Sequence, residues 1–295
     1  MKRSIPFFAA LFALSLVLSA SAAAQASKCG DRDYTCKIAA YTAQIADNKD
    51  DIEAYYNRGI AFQALGKHDE AILDFTKYIG MKPSNLDYLA DGYSNRGISY
   101  KRLNKLDLAI ADYTNAIQLS PGKAFFYFNR GNAYSTKKAF DLAIDDFSSA
   151  IGLKADYAGA YVSRGHAYMG KNNGDAAFAD FTKAISIDPN ESEAYYNRGI
   201  IYDDRKDYQK SIADYDKYIS LNTNNIAFLS DGYQNRGIAY YNIGNYDRAV
   251  KDLTSAIELD PKDGSPYKAR AFIYRKQGKI ALAEADEKKA ASFKK

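Results

Sequence analysis

The sequence predicts an all-α protein built as an array of seven helical hairpins, and three observations carry that prediction. The tripeptide Asn-Arg-Gly recurs at Asn57-Arg58-Gly59, Asn95-Arg96-Gly97, Asn129-Arg130-Gly131, Asn197-Arg198-Gly199 and Asn235-Arg236-Gly237, with Ser163-Arg164-Gly165 and Ala269-Arg270-Ala271 filling the remaining places. The step from one copy to the next is constant except from Gly59 to Gly97 and from Gly199 to Gly237, where it is slightly longer, and such a period marks stacked helical repeats. Around each copy the apolar residues fall at helical steps: Tyr55, Gly59 and Phe62 share one face, and Ala71 with Phe75 lies on a second helix. Tyr and Phe number 26 and 15 while Trp is absent, as one packing motif used many times would leave.

Taken in order, residues 1–26 read as a signal peptide. Lys2 and Arg3 precede an apolar stretch from Ile5 to Leu18, and Ala24-Gln25-Ala26 supplies the small-residue cleavage site. The rival reading is an uncleaved anchor, since about 20 tolerable residues would be enough to span. No later run is apolar enough to cross a bilayer, so no stable membrane insertion is expected after cleavage. The short leader suits export to the periplasm of a Gram-negative bacterium. Residues 27–51 form an N-terminal half-repeat: Ile38, Tyr41 and Ile45 match Ile72, Phe75 and Ile79 of a second helix. Cys29 and Cys36 lie in it. An exported compartment permits a disulfide, and a turn at Gly30 would let this short step close. A local staple is preferred to a redox pair, for which the CxxC spacing is missing.

Residues 52–295 hold the seven repeats, starting near 52, 90, 124, 158, 192, 230 and 264. Gly66, Asn104, Asn172, Gly244 and Gly278 occupy one point between the two helices, where a residue able to take positive φ is useful. Asp69, Asp107, Asp141, Asp175 and Asp247 then open the second helix at its positive end. The segment AYYNRGI at Ala54–Ile60 returns letter for letter at Ala194–Ile200, which points to duplication of a four-repeat block. Each of the two longer steps adds about one helical turn to a first helix. At the same two places Tyr78 and Tyr218 stand where other repeats carry Ala116, Ala150, Ala184, Ala256 and Ala290, so a local change of packing is expected. In the last repeat Glu287 replaces the aromatic found at Phe75, Tyr113, Phe147, Phe181 and Tyr215, as a water-facing end would.

The spacing of Tyr55, Gly59, Phe62, Ala71, Phe75 and Pro83 resembles the tetratricopeptide repeat, and Tyr93, Gly97, Tyr100, Ala109, Tyr113 and Pro121 repeat it. The resemblance implies a right-handed α-solenoid of seven such hairpins, whose first helices line a concave groove that holds extended peptides or helices. It assigns Asn57, Asn95, Asn129, Asn197 and Asn235 to hydrogen bonding of a ligand backbone, although an Asn there can equally bond a neighbouring helix. Residues three before, one after and four or five after the Gly should share the groove. These include Tyr56, Lys101, Arg102, Phe128, His166, Tyr196, Tyr241 and Lys268, together with Asp203, Asp204, Arg275 and Lys276. The two-carboxylate clamp of chaperone-binding relatives cannot be carried over, because Tyr56 and Ile60 stand where it needs Lys and Asn.

All seven repeats carry an Arg before the Gly or its Ala substitute and an Asp sixteen residues later, pairing Arg58 with Asp74, Arg96 with Asp112, Arg130 with Asp146, Arg164 with Asp180, Arg198 with Asp214, Arg236 with Asp252 and Arg270 with Asp286. Charges that recur together read as an ion-pair ladder between the two helices. A net charge of +4 is too small for dedicated nucleic-acid binding. Two His and two Cys provide no metal site, and no cofactor motif is present. Neither His68 nor His166 stands in a nucleophile-base arrangement, so no enzyme is expected. The function read from the sequence is a scaffold that binds a peptide or helical segment of another envelope protein. The alternatives are self-association into a homo-oligomer and, less favoured, a carbohydrate-binding groove.

Overall fold

The computed structural model describes residues 29–222 and 224–293; the leader expected at 1–26 lies outside them. Among the described residues there are fifteen helices and no strands, divided between two units at Ala155 and Asp156. The first unit holds α1 (Tyr34–Asp47), α2 (Ile52–Ala64), α3 (His68–Gly80), α4 (Leu86–Arg102), α5 (Leu106–Leu119), α6 (Ala124–Thr136) and α7 (Phe140–Leu153). The second holds α8 (Ala158–Gly170), α9 (Gly174–Ile187), α10 (Ser192–Asp204), α11 (Tyr208–Leu221), α12 (Ile226–Asn242), α13 (Tyr246–Leu259), α14 (Gly264–Lys276) and α15 (Ile280–Ala291). One constant shift along the chain, the step from Tyr34 to Gly174, carries the first residues of α1 to α7 onto those of α9 to α15, so each unit contains the same run of helices. α1 is the single helix of the half-repeat, and the Cys29–Cys36 disulfide ties the segment before it to its first turn.

Each hairpin turns by the same device. In the first repeat the N–H of Lys67 donates to the carbonyl of Phe62 at 2.9 Å and that of Gly66 to Gln63 at 2.9 Å, which closes the end of α2 with its orphan carbonyls satisfied. The residue at the turn has φ of +72° at Gly66, +79° at Gly244 and +73° at Gly278. The other four repeats reach this conformation with Asn104, Lys138, Asn172 and Lys206, so two lysines join the residues that the sequence marks at this point.

Inside a hairpin the Gly of the first helix lies beneath the aromatic sixteen residues on. A Cβ on Gly59 would sit 2.8 Å from Phe75, one on Gly97 2.8 Å from Tyr113 and one on Gly165 2.7 Å from Phe181. These rings therefore fill their own hairpin, and each is fully buried. Ala271 tolerates its methyl group in the last repeat because Glu287 turns outward there and accepts from Arg275 Nε and Nη2 at 2.7 Å each.

Neighbouring hairpins meet through complementary volumes. Ala116 of α5 packs with Phe126 of α6, and Ala184 of α9 with Ala194 of α10. Where the second helix ends in Tyr78, the facing residue on α4 is Gly92, whose Cβ would come within 2.6 Å of the ring. Tyr218 and Gly232 repeat the arrangement in the second unit, at 2.9 Å. α4 and α12, each 17 residues long against 13 for the other first helices, are the elements lengthened by the two inserts.

Candidate functional site

The arginines brace the repeats. In all seven, Arg Nε and Nη2 donate to both oxygens of the Asp sixteen residues on, at 2.7–2.8 Å. The carboxylates are only 3–7% exposed. Aromatic rings at four before and three after the Gly lie 5.2–6.0 Å from the guanidinium and sandwich it. The remaining nitrogen reaches back to the preceding second helix: Arg96 Nη1 donates to Thr76 at 3.1 Å, Arg130 to Thr114 at 3.0 Å and Arg236 to Asp216 at 2.6 Å. These arginines are committed to structure and do not offer an anion-binding stripe.

The lengthened helices create something different: a pocket at the same place in each unit. In the first unit it measures about 260 Å³ and is lined by Glu53, Tyr56, Asn57, Tyr78, Tyr88 and Asp91. In the second it measures about 350 Å³. There Glu193, Tyr196, Asn197, Tyr218, Phe228 and Asp231, the counterparts of those six under the shift that relates the units, line it with His166, Glu191 and Ser192. The local cause lies in the sequence. The extra turn of α4 or α12 supplies Tyr88 or Phe228 and sets it beside Asp91 or Asp231 of the following turn; the Tyr for Ala exchange supplies a wall; and Gly92 or Gly232 leaves room for that wall to stand.

Hydrogen bonds hold the walls. Tyr78 Oη donates to the carbonyl of Tyr88 at 3.0 Å, and Asn95 Nδ2 donates to Tyr56 Oη at 2.9 Å. Asn235 Nδ2 does the same for Tyr196 at 3.0 Å. Burial, aided by Tyr56 and Asp91, pushes the Tyr78 hydroxyl up to about 12, so it stays neutral. Partial burial raises the Asp91 carboxyl, with Lys123 opposing and Asp87 adding, and it raises Asp231, where Asp263 adds to the effect. Glu191 is raised by burial and then by Glu193. Among the described residues these acidic groups do not converge as a metal-ligand set.

The sequence-derived residues separate into two groups. Tyr56 and Asn57 enter the first pocket, and His166, Tyr196 and Asn197 the second. Asn95 and Asn235 stand behind them and brace a tyrosine on the neighbouring hairpin, while Asn197 Nδ2 donates to the carbonyl of Glu193 at 2.7 Å. Phe128, Asn129, Lys101, Arg102, Tyr241 and Lys268 line neither pocket. The position four after the Gly also departs from the expected face. Asp203 accepts from Tyr215 Oη at 2.7 Å, Arg275 holds Glu287, and Tyr241 stacks on Tyr246 with centroids 5.6 Å apart. This position lies in the last turn of the first helix, where side chains meet the returning helix of their own hairpin. Tyr78, Tyr88, Asp91 and their counterparts are the functional candidates that sequence reading passes over. The signal that finds them is their joint recurrence in the duplicated block.

Stacked helical hairpins that leave open, side-chain-lined pockets on their first helices define a protein-interaction scaffold. The chain belongs to the tetratricopeptide repeat family, whose models match residues 52–85, 90–123, 126–157, 158–191, 192–225 and 230–263. No curated protein matches it. Among solved structures it is similar to MamA, at 27% identity over 59% of this chain and 92% of that one with a TM-score of 0.52. A tetratricopeptide repeat protein from Parabacteroides merdae is 22% identical over 83% of this chain and 93% of its own, with a TM-score of 0.60. YrrB, described as a TPR protein with an unusual peptide-binding site, is 22% identical over 63% of this chain and 92% of its own, with a TM-score of 0.52. Among the described residues no helix is long and apolar enough to cross a membrane.

Proposed function

We propose that the chain is a non-catalytic scaffold, exported by residues 1–26 to the bacterial envelope, that holds a peptide or helical segment of another envelope protein against its first helices. The observation that carries this reading is the pair of pockets. Six lining positions of the first recur in the second, each set with an Asn amide that can both donate to and accept from a peptide unit. Packing alone does not call for an open cavity twice. YrrB's peptide-binding site, on the same fold, adds support by analogy.

The test is a crosslinking pull-down from native envelope extract, comparing the chain with its Asn57→Ala/Asn197→Ala variant. A partner captured by the first and lost from the second is the expected result. Recovery of only the chain itself by both would overturn the reading and favour self-association. Export has its own check: protein from the periplasmic fraction is expected to begin at Ser27 on N-terminal sequencing, and an intact Met1 on membrane-bound protein would establish an anchor instead.

A further inference from the structure

The two pockets carry a specific chemistry. In the first unit the rings of Tyr56 and Tyr78 have centroids 4.9 Å apart, and Tyr88 stands at the mouth, 61% exposed. In the second the rings of Tyr196 and Tyr218 are 4.8 Å apart, and Phe228 lies 6.3 Å from Tyr218. Beside these rings stand carboxylates: Glu53 and Asp91 in one pocket, Glu191, Glu193 and Asp231 in the other. Among the described residues no lysine or arginine lines either pocket, and the one basic group, His166, lies 3.6 Å from Glu193. Electron-rich ring faces next to partly desolvated carboxylates attract a cation and reject an anion.

We infer that each pocket receives one cationic side chain, Arg or Lys, of the bound segment, so that the chain offers two cation-reading sites at corresponding positions, one in each unit. The inference rests on the peptide-holding reading above and names what that peptide must carry. Cavities of about 260 and 350 Å³ have room for one long side chain and some water, not for a packed helix. The two rings of each pair are in contact with one another, so a flexible aliphatic stem lies along their outer side, against Tyr88 or Phe228, while its charged end meets the carboxylates. An acidic peptide is excluded by charge.

The two sites differ in one respect that makes the inference testable. Lys123 lies near Asp91 and opposes an arriving cation, whereas its counterpart near Asp231 is Asp263, which favours one. The second-unit site is therefore the stronger of the two. Lys123 is also the N-cap of α6 and forms no side-chain cap hydrogen bond, while Asp263 caps α14 by accepting from Ser265 N–H. Lys123→Asp thus replaces the opposing charge of the first site by the acid the second site carries, beside Asp87, whose counterpart is the uncharged Ala227, and supplies a cap, so the variant is expected to fold at least as well as the parent.

The experiment titrates the ¹⁵N-labelled full chain with capped Gly-Ser nonapeptides bearing one central Arg, Lys, norleucine or Glu. It follows the side-chain amides of Asn57 and Asn95 for one site and of Asn197 and Asn235 for the other. Titrations run at about pH 8.5, above the range in which histidines ordinarily titrate. The Arg and Lys peptides are expected to shift both pairs and to saturate at two per chain, with norleucine and Glu peptides inert. Asp91→Asn should weaken the first site about tenfold and leave the second unchanged, and Asp231→Asn should do the reverse. Lys123→Asp should tighten the first site about three- to tenfold, the size expected of a charge reversal at the surface. Equal response to norleucine and Arg, saturation by tetramethylammonium chloride without response to the Arg peptide, or indifference to Lys123→Asp would each overturn the inference. If the pull-down partner is still captured by an Asp91→Asn/Asp231→Asn chain, the scaffold reading stands and the cation assignment falls.

Discussion

At the scale of single residues, the molecule buries seven charge pairs and gains alignment from them more than stability. Asp112 shows why. Burial raises its carboxyl above the ordinary range even though Arg96 pulls the other way, while the hydrogen bonds to Asp112 hold Arg96 more firmly charged, so the gain on the arginine is offset by the cost on the aspartate. A buried pair of this kind is expensive to break and cheap to replace. Arg96→Met should cost about 3–5 kcal/mol in chemical denaturation, because Asp112 is left buried and alone. The double variant Arg96→Met/Asp112→Leu should recover most of that loss. The pH dependence follows from the sign of the shift. A carboxyl raised in the folded state is least costly when protonated, so the deficit of Arg96→Met should shrink as pH falls through the raised value and be fullest at neutral pH. An equal deficit at acidic and neutral pH would refute this account. The pairing of each Arg with the Asp sixteen residues on was legible in the sequence because both recur in every repeat. The third partner was not read, although Thr42, Thr114 and Thr254 lie a constant sixteen residues before Arg58, Arg130 and Arg270. A bond between consecutive repeats leaves no mark inside one repeat.

At the scale of the helix and the turn, local conflicts reveal where the chain accepts a cost. Lys138 and Lys206 take φ of +60° and +62°, a conformation costing an L-residue about 1–2 kcal/mol that Gly adopts freely. Lys206→Gly should therefore stabilise the second unit by about 1 kcal/mol, after the extra freedom Gly gains on unfolding, and raise its melting temperature. A lower melting temperature would mean that the lysine stem makes a compensating contact. The Tyr78–Gly92 pair sets a second test. Gly92→Ala alone would press a methyl group into the ring and cost about 1–3 kcal/mol, whereas Gly92→Ala with Tyr78→Ala reproduces the Ala184–Ala194 contact of another hairpin junction. The double variant should fold, and it should lack the wall of the first pocket. The repeat frame, the turns and the lengthened helices were legible because each depends on residues close in the chain. The pocket was not: Glu53, Tyr78 and Asp91 come from three helices, and only the fold puts them around one space. The part that the sequence could have supplied was the exchange itself, Gly appearing on a first helix where Tyr replaces Ala on the helix before it.

At the scale of the whole molecule, the recurrence of the helices of one unit in the other means that each unit is built from interactions local to consecutive hairpins. Within the first unit α2 packs on α1 and α3, α4 on α3 and α5, and α6 on α5 and α7; within the second, α9 to α15 follow the same order. Stability in such an array is a sum of repeat and nearest-neighbour contributions, so a local defect spreads only as far as its neighbours' own stability lets it. Phe75→Ala removes a fully buried ring from the middle of one hairpin and should cost about 3–5 kcal/mol at that site. In native-state hydrogen exchange the loss of protection is expected in α2, α3 and α4, fading through α5, with α9 to α15 unchanged. Tyr215→Ala, the same change at the counterpart position of the second unit, should produce the same pattern in α10, α11 and α12 and leave α1 to α7 protected. If either variant lowered protection evenly over both units, the chain would unfold as a single cooperative body, and two independently tunable binding sites would no longer follow from its construction. If the defects stay local, the two pockets can be weakened one at a time, as separate readings of one bound partner require.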